Sequence, residues 1–102
     1  MVSARNALHE TLSLARSLAS HPEMVDAISV AVAYYQRLGQ NEQAAVWAGV
    51  VQEDPEIDPH LFAPVCTQLE HALGSKEYQR TLEQGKKRIL DDVVVEIISD
   101  LA

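Results

Sequence analysis

The chain carries one cysteine, one tryptophan and one phenylalanine in 102 residues, with only 8 Lys and Arg against 15 Asp and Glu. Each scarcity excludes something. A lone thiol, Cys66, forms no internal disulfide and builds no cysteine-based zinc site, which fits a reducing compartment. A net charge of −7 repels phosphate backbones instead of displacing their counterions, so no nucleic-acid partner is expected. No apolar run approaches the roughly 20 residues that cross a bilayer, and Met1-Val2-Ser3-Ala4-Arg5 lacks the apolar centre of a signal peptide. No membrane partner is expected either. Together these absences predict a soluble, cytoplasmic protein. A chain of this length is a single domain, residues 1–102, whose one modest core buries roughly 60 to 65 per cent of the unfolded surface.

Groups that do chemistry are equally thin. His9, His21, His60 and His71 are scattered along the chain, none four residues from another histidine on one helix, so they do not build a zinc site. Cys66 has no histidine three or four residues further along its helix and lies on an apolar stripe, where it reads as a small core residue. Glu53, Asp54, Glu56 and Asp58 crowd a connection that contains two prolines, and such a loop reads as solvated. It lacks the Gly and the alternating Asp or Asn of a calcium loop. Neither a phosphate-binding Gly-rich loop with Lys-Ser or Lys-Thr nor a GxGxxG is present. The reading is therefore a protein that is not an enzyme, with no cofactor and no metal.

What the chain does have is 47% hydrophobic residues, set at helical pitch. The pattern predicts an all-α fold of about six helices. The first, about Ala4 to Ser20, aligns Leu8, Leu12, Ala15 and Ala19, with Leu14 and Leu18 widening the apolar face. His21-Pro22-Glu23 breaks the chain before a second helix from about Glu23 to Leu38, which carries Met24, Ile28, Ala31, Val32, Tyr35 and Leu38. Gly39 stops it, and Asn41 is placed as the cap of a third helix that presents Ala44, Ala45, Trp47, Ala48 and Val51. Asp58 caps a fourth helix, Pro59 to Leu73, with Leu61, Phe62, Val65, Cys66, Leu69 and Leu73 on its stripe and Pro64 expected to kink its start. Gly74 ends it and Ser75 is read as the cap of a short fifth helix, about Lys76 to Gln84, anchored by Tyr78 and Leu82 and terminated by Gly85. Lys86-Lys87-Arg88 then reads as cations at a helix C-terminus. Val93-Val94-Val95-Glu96-Ile97-Ile98 is rich in β-branched residues, yet a lone strand would have no partner, so a sixth helix is predicted from about Leu90 with Asp91 and Asp92 in its first turn.

The facing sides of the second and third helices are lined with alanine, which lets two helices approach closely. Tyr35, Gly39 and Ala44 stand at the mutual spacings of the tetratricopeptide pattern, with Asp54-Pro55 near its terminal proline, so the hairpin from about Val25 to Glu56 resembles one such repeat. Val32 replaces the usual small residue and Ala48 the usual bulky one. A wider resemblance runs through Leu12-Ser13-Leu14-Ala15-Arg16, the hairpin, Leu73-Gly74-Ser75-Lys76-Glu77-Tyr78, Gly85 and Leu90-Asp91-Asp92-Val93-Val94. This order looks like the C-terminal tetratricopeptide region of large bacterial STAND-type signal-transduction ATPases and transcriptional regulators. The resemblance implies an array of tetratricopeptide-like helices over residues 1–56, capping helices over 57–102 that cover the last hairpin, and a genuine chain end at Ala102. It departs at Arg88 and Ile89, where an apolar residue and a Ser or Thr cap are usual, so a frayed start is expected for the last helix.

The function implied is that of a sensing or scaffolding module that binds a protein, a peptide or another part of the parent polypeptide. Aromatic side chains anchor such partners when exposed and hold repeats together when buried. Tyr35 is assigned to the core by its place in the repeat pattern, and Tyr34, one position round the helix, to an exposed contact. Gln36, Glu42, Gln43 and Trp47 complete the candidate partner-binding set. Self-association as a homodimer is the alternative, since a fragment of one and a half repeats leaves an apolar end. A transcription-factor domain is a more distant one, because it needs a basic recognition helix.

Overall fold

A computed structural model describes residues 3–102 of the chain, and these residues form six α-helices joined by short turns. The helices are α1 (Ala4–Leu18), α2 (His21–Arg37), α3 (Asn41–Val51), α4 (Pro59–Leu73), α5 (Ser75–Lys86) and α6 (Leu90–Leu101). The all-α architecture is the one expected, and no strand occurs among the described residues. The valine-rich tail is helical because its Val93, Val94, Ile97 and Leu101 fall on one buried face. Packing of that face outweighs the β-preference of the individual residues.

Several helix ends differ from the sequence reading. Ser3 caps α1, accepting from the Asn6 N–H at 3.1 Å, but the helix stops at Leu18 and Ala19 turns left-handed with φ 50°. Helix α2 begins at His21, ahead of the proline, because a first-turn N–H has no intrahelical partner and Pro22 sacrifices nothing there. Asn41 and Ser75 are the first residues of their helices and not side-chain caps. Asp58 does cap α4, accepting from the His60 N–H at 2.9 Å. Pro64 lies within α4 without ending it. Gly39, at φ 82°, ends α2 in the conformation that glycine alone adopts without strain.

Gly85 is the main correction. It does not terminate α5 but lies buried inside it, opposite Gly49 of α3. A Cβ built on Gly85 would stand 1.9 Å from the Val46 carbonyl oxygen, and one on Gly49 would stand 2.3 Å from that of Leu82. The two backbones touch there, and only glycine at both positions permits it. Helices α2 and α3 pack together, and Ala27 and Ala31 of the first and Ala44, Ala45 and Ala48 of the second are all buried.

Two helices share the centre: α2 packs against α1, α3, α4 and α6, and α3 against α2, α4, α5 and α6. The last helix lies against α1, α2 and α3, and not against α4 or α5. Four side chains tie it down through polar contacts. Arg5 of α1 donates through Nε to the Leu101 carbonyl at 3.1 Å and through Nη2 to the Asp100 carbonyl at 2.8 Å, serving two acceptors at the C-terminus of α6. The Tyr35 hydroxyl donates to the Asp100 carboxylate. The Trp47 indole N–H donates to Glu96 at 3.3 Å, and Arg88 pairs with the same carboxylate. Arg88, out of place in the repeat pattern, thus bonds α6, while Ile89 ahead of the helix is left 65% exposed.

Candidate functional site

Helix α2 sends Met24, Ile28, Ala31, Val32 and Tyr35 inward. Its opposite strip, Asp26, Ser29, Val30, Ala33, Tyr34 and Arg37, faces out between α1 and α4. Those two helices form the walls of an open groove of about 570 Å³. The α1 wall consists of Ala4, Ala7, Leu8 and Thr11, and the α4 wall of Asp58, Leu61, Phe62 and Val65. Alanine at three of the lining positions leaves room above the backbone that larger side chains would fill. The groove is mostly apolar, with Val30 55% and Leu61 75% exposed in it. Concave, apolar and rimmed by a few polar groups, it has the character of a binding cleft.

The position of α4 beside α2 is held from the other end of the hairpin. His21 at the start of α2 meets Asp54, beyond α3, with Nε2 and Oδ2 2.7 Å apart. Asp54 also accepts from the Glu56 N–H at 3.0 Å, which turns the connection toward α4. The acid-rich connection that reads as merely solvated is therefore folded on itself at Asp54.

The candidate partner-binding residues separate into four places. Tyr34 lies half-buried in the groove, its ring edge-on to Tyr35 with centroids 5.6 Å apart. Glu42 and Gln43 line a different, shallower depression by the α2–α3 turn with Val46 and Leu73, and Glu42 reaches Arg80 at 3.4 Å. Gln36 is half-buried and lines neither. Trp47 is not a surface anchor: it is 1% exposed and packs edge-on to Tyr35 with centroids 4.6 Å apart. Tyr35 is equally buried, as the repeat pattern implies.

Sequence reasoning missed Val30, Ala33, Leu61, Phe62 and Val65 as a shared surface. A signal was present, since Val30 and Ala33 lie off the inward stripe of α2 and make that helix apolar on two sides. Leu61, Phe62 and Val65 read as core because they sit at helical pitch, but only Phe62 of the three is fully buried.

Two tyrosines and the cysteine, all away from the groove, hold their protons more tightly than usual. Burial, followed by the hydrogen bond to Asp100, raises Tyr35 well above the usual tyrosine range. Burial likewise raises Tyr78. The half-buried Cys66 thiol is raised by desolvation, against a smaller opposite effect of its hydrogen bond with Tyr78, which is the reverse of what activates a nucleophilic thiolate. Among the described residues no three His, Cys, Asp or Glu side chains are grouped as a metal ion would require, and no helix is long and apolar enough to cross a membrane. Comparison with family models, curated proteins and solved structures found no match in any of the three.

Proposed function

We propose that the protein is a non-enzymatic, tetratricopeptide-like interaction module, and that its working surface is the groove over the outer strip of α2. The observation that carries this reading is the exposure of Val30 and Leu61 in a concave apolar cleft. Leaving two large aliphatic side chains in water forgoes roughly 1.5 to 3 kcal/mol each relative to burial, and a docked partner recovers part of it. The resemblance to the C-terminal repeats of bacterial STAND-type ATPases supports a sensing role in such a regulator. The partner is then a protein, a peptide or another part of the same polypeptide.

A photo-crosslinking side chain placed at position 30 or 61, in cells that express the full chain, tests the reading. Adducts at these two positions and none at Val95, which is 39% exposed on α6, are expected. Adducts at 95 with none at 30 or 61 would move the interface elsewhere.

Self-association has one observation in its favour. Leu14 and Leu18, each 61% exposed, extend the outward face of α1 beyond the groove. A second copy covering that face would appear in sedimentation as a concentration-dependent dimer, abolished by Leu14→Asp.

A further inference from the structure

The groove has a charge pattern along its length, and it specifies the chemistry of an occupant. Asp26 lies in the first half of α2 and Arg37 in its last turn, and both line the groove. Their separation of eleven positions corresponds to about 16 Å, or three helical turns. Asp58 stands with Asp26, because the His21–Asp54 contact pins the chain leading into α4 beside the start of α2. One end of the groove is therefore acidic and the other basic, with Val30, Ala33 and Leu61 between. Neither Asp26 nor Arg37 has an ion-pair partner among the described residues. Asp58 spends Oδ1 on the His60 N–H, leaving Oδ2.

The walls are helices whose backbone groups are already bonded, so an added strand would find no ladder to join. An occupant helix lying in the groove needs none. A second copy of the chain brings a net charge of −7 of its own, which works against close approach.

We propose that the groove accepts an amphipathic helix of about three turns from another protein or protein segment, with an apolar stripe facing Val30, Ala33 and Leu61. It carries Lys or Arg at the end over Asp26 and Asp58, and Asp or Glu at the end over Arg37. This proposal rests on the groove being the working surface and adds the chemistry of the partner.

Selection from a display library of random peptides about 15 residues long, against the full chain, tests both levels. Enriched peptides are expected to place apolar residues at i, i+3, i+4 and i+7, with opposite charges at the two ends. A selected peptide should lose about tenfold in affinity for Asp26→Lys or Arg37→Glu, with the loss shrinking as salt rises. It should fail to bind Val30→Asp. Circular dichroism of the three variants should match that of the parent, since positions 26, 30 and 37 are exposed. Peptides that lose binding to Val30→Asp but bind Asp26→Lys and Arg37→Glu unchanged overturn the charge pattern and leave groove docking standing. Peptides that bind Val30→Asp normally, or a library with no binder that depends on Val30, overturn both. A dimer of the chain that Val30→Asp dissolves overturns the foreign helix in favour of a second copy.

Discussion

At the scale of single residues, two glycines and two adjacent tyrosines carry most of the information. Gly85→Ala ordinarily strengthens a helix by about 1 kcal/mol. Here the added methyl would meet the Val46 carbonyl oxygen at 1.9 Å, and that oxygen belongs to a backbone with no freedom to yield. A net destabilisation of about 2 to 3 kcal/mol is expected, seen as a lower midpoint in urea at unchanged slope. A neutral or stabilising effect would mean that α3 and α5 do not touch at this point. Tyr34 and Tyr35 should respond oppositely to alanine. Tyr35→Ala removes a fully buried ring and should cost about 3 to 5 kcal/mol, with loss of helicity in circular dichroism. Tyr34→Ala should leave the spectrum intact and weaken only partner binding. Equal loss of helicity in both would mean that the two side chains share one environment.

Alkaline stability tests the environment of Tyr35 and Tyr78. In the folded chain both hold their protons above the ordinary tyrosine value of 10.0. Their contribution is complete below pH 10.0, where neither state ionises. It declines above that, because the unfolded chain releases the protons first and binds fewer of them. The free energy of unfolding in urea should fall above about pH 10, by up to about 1.4 kcal/mol per pH unit for each tyrosine. Tyr35→Phe should remove one of the two contributions to that slope, and a slope unchanged by the substitution would contradict the assignment.

At the scale of elements, what fixes a helix and what tells its outer face from its inner one are different things. Helices α4 and α6 are legible almost to the residue, because Asp58-Pro59 is a strong start signal and Asp91-Asp92 suits the first turn of a helix. The proline within α4 and the valines of α6 are overridden by packing. Which stripes are buried is less legible, since periodicity gives an angle round the helix and not the presence of a neighbour. Leu14, Leu18, Leu38 and Leu61 all satisfy the apolar period, and all four are exposed. The groove was missed for this reason. Trp47 could not be placed either, because its indole faces the core only once α6 supplies Glu96 as an acceptor from 49 residues away. Gly85 reads as a stop signal because glycine punctuates helices. Its true role depends on Gly49, a residue that no local pattern links to it.

The seat of α6 can be tested without unfolding anything. Arg5→Ala removes both donors from the Asp100 and Leu101 carbonyls. Faster amide hydrogen exchange is expected in the last turn of α6, with protection in α2 and α3 unchanged. Uniform loss of protection would assign Arg5 to the fold as a whole.

At the scale of the molecule, the return of α6 onto α1, α2 and α3 changes the kind of object this is. An open repeat array contacts only its neighbours and frays from its ends. Here the sixth helix joins the first, and the Cα radius of gyration is 12.6 Å, matching the roughly 13 Å of a compact domain of this length. One cooperative transition is expected, with coincident midpoints in far-ultraviolet and near-ultraviolet circular dichroism and in tryptophan fluorescence. Earlier loss of the tryptophan signal than of helicity would reveal α6 detaching as a separate unit.

The arginine near one terminus that grips the carbonyls at the other also means that both ends leave the molecule side by side. A linker of a few residues could bridge positions 3 and 102, and the ring could be reopened at the solvent-facing Pro55 without cutting a helix. Grafted by its neighbouring ends into a surface loop of a host protein, the domain would occupy little more room at the junction than the loop it replaced.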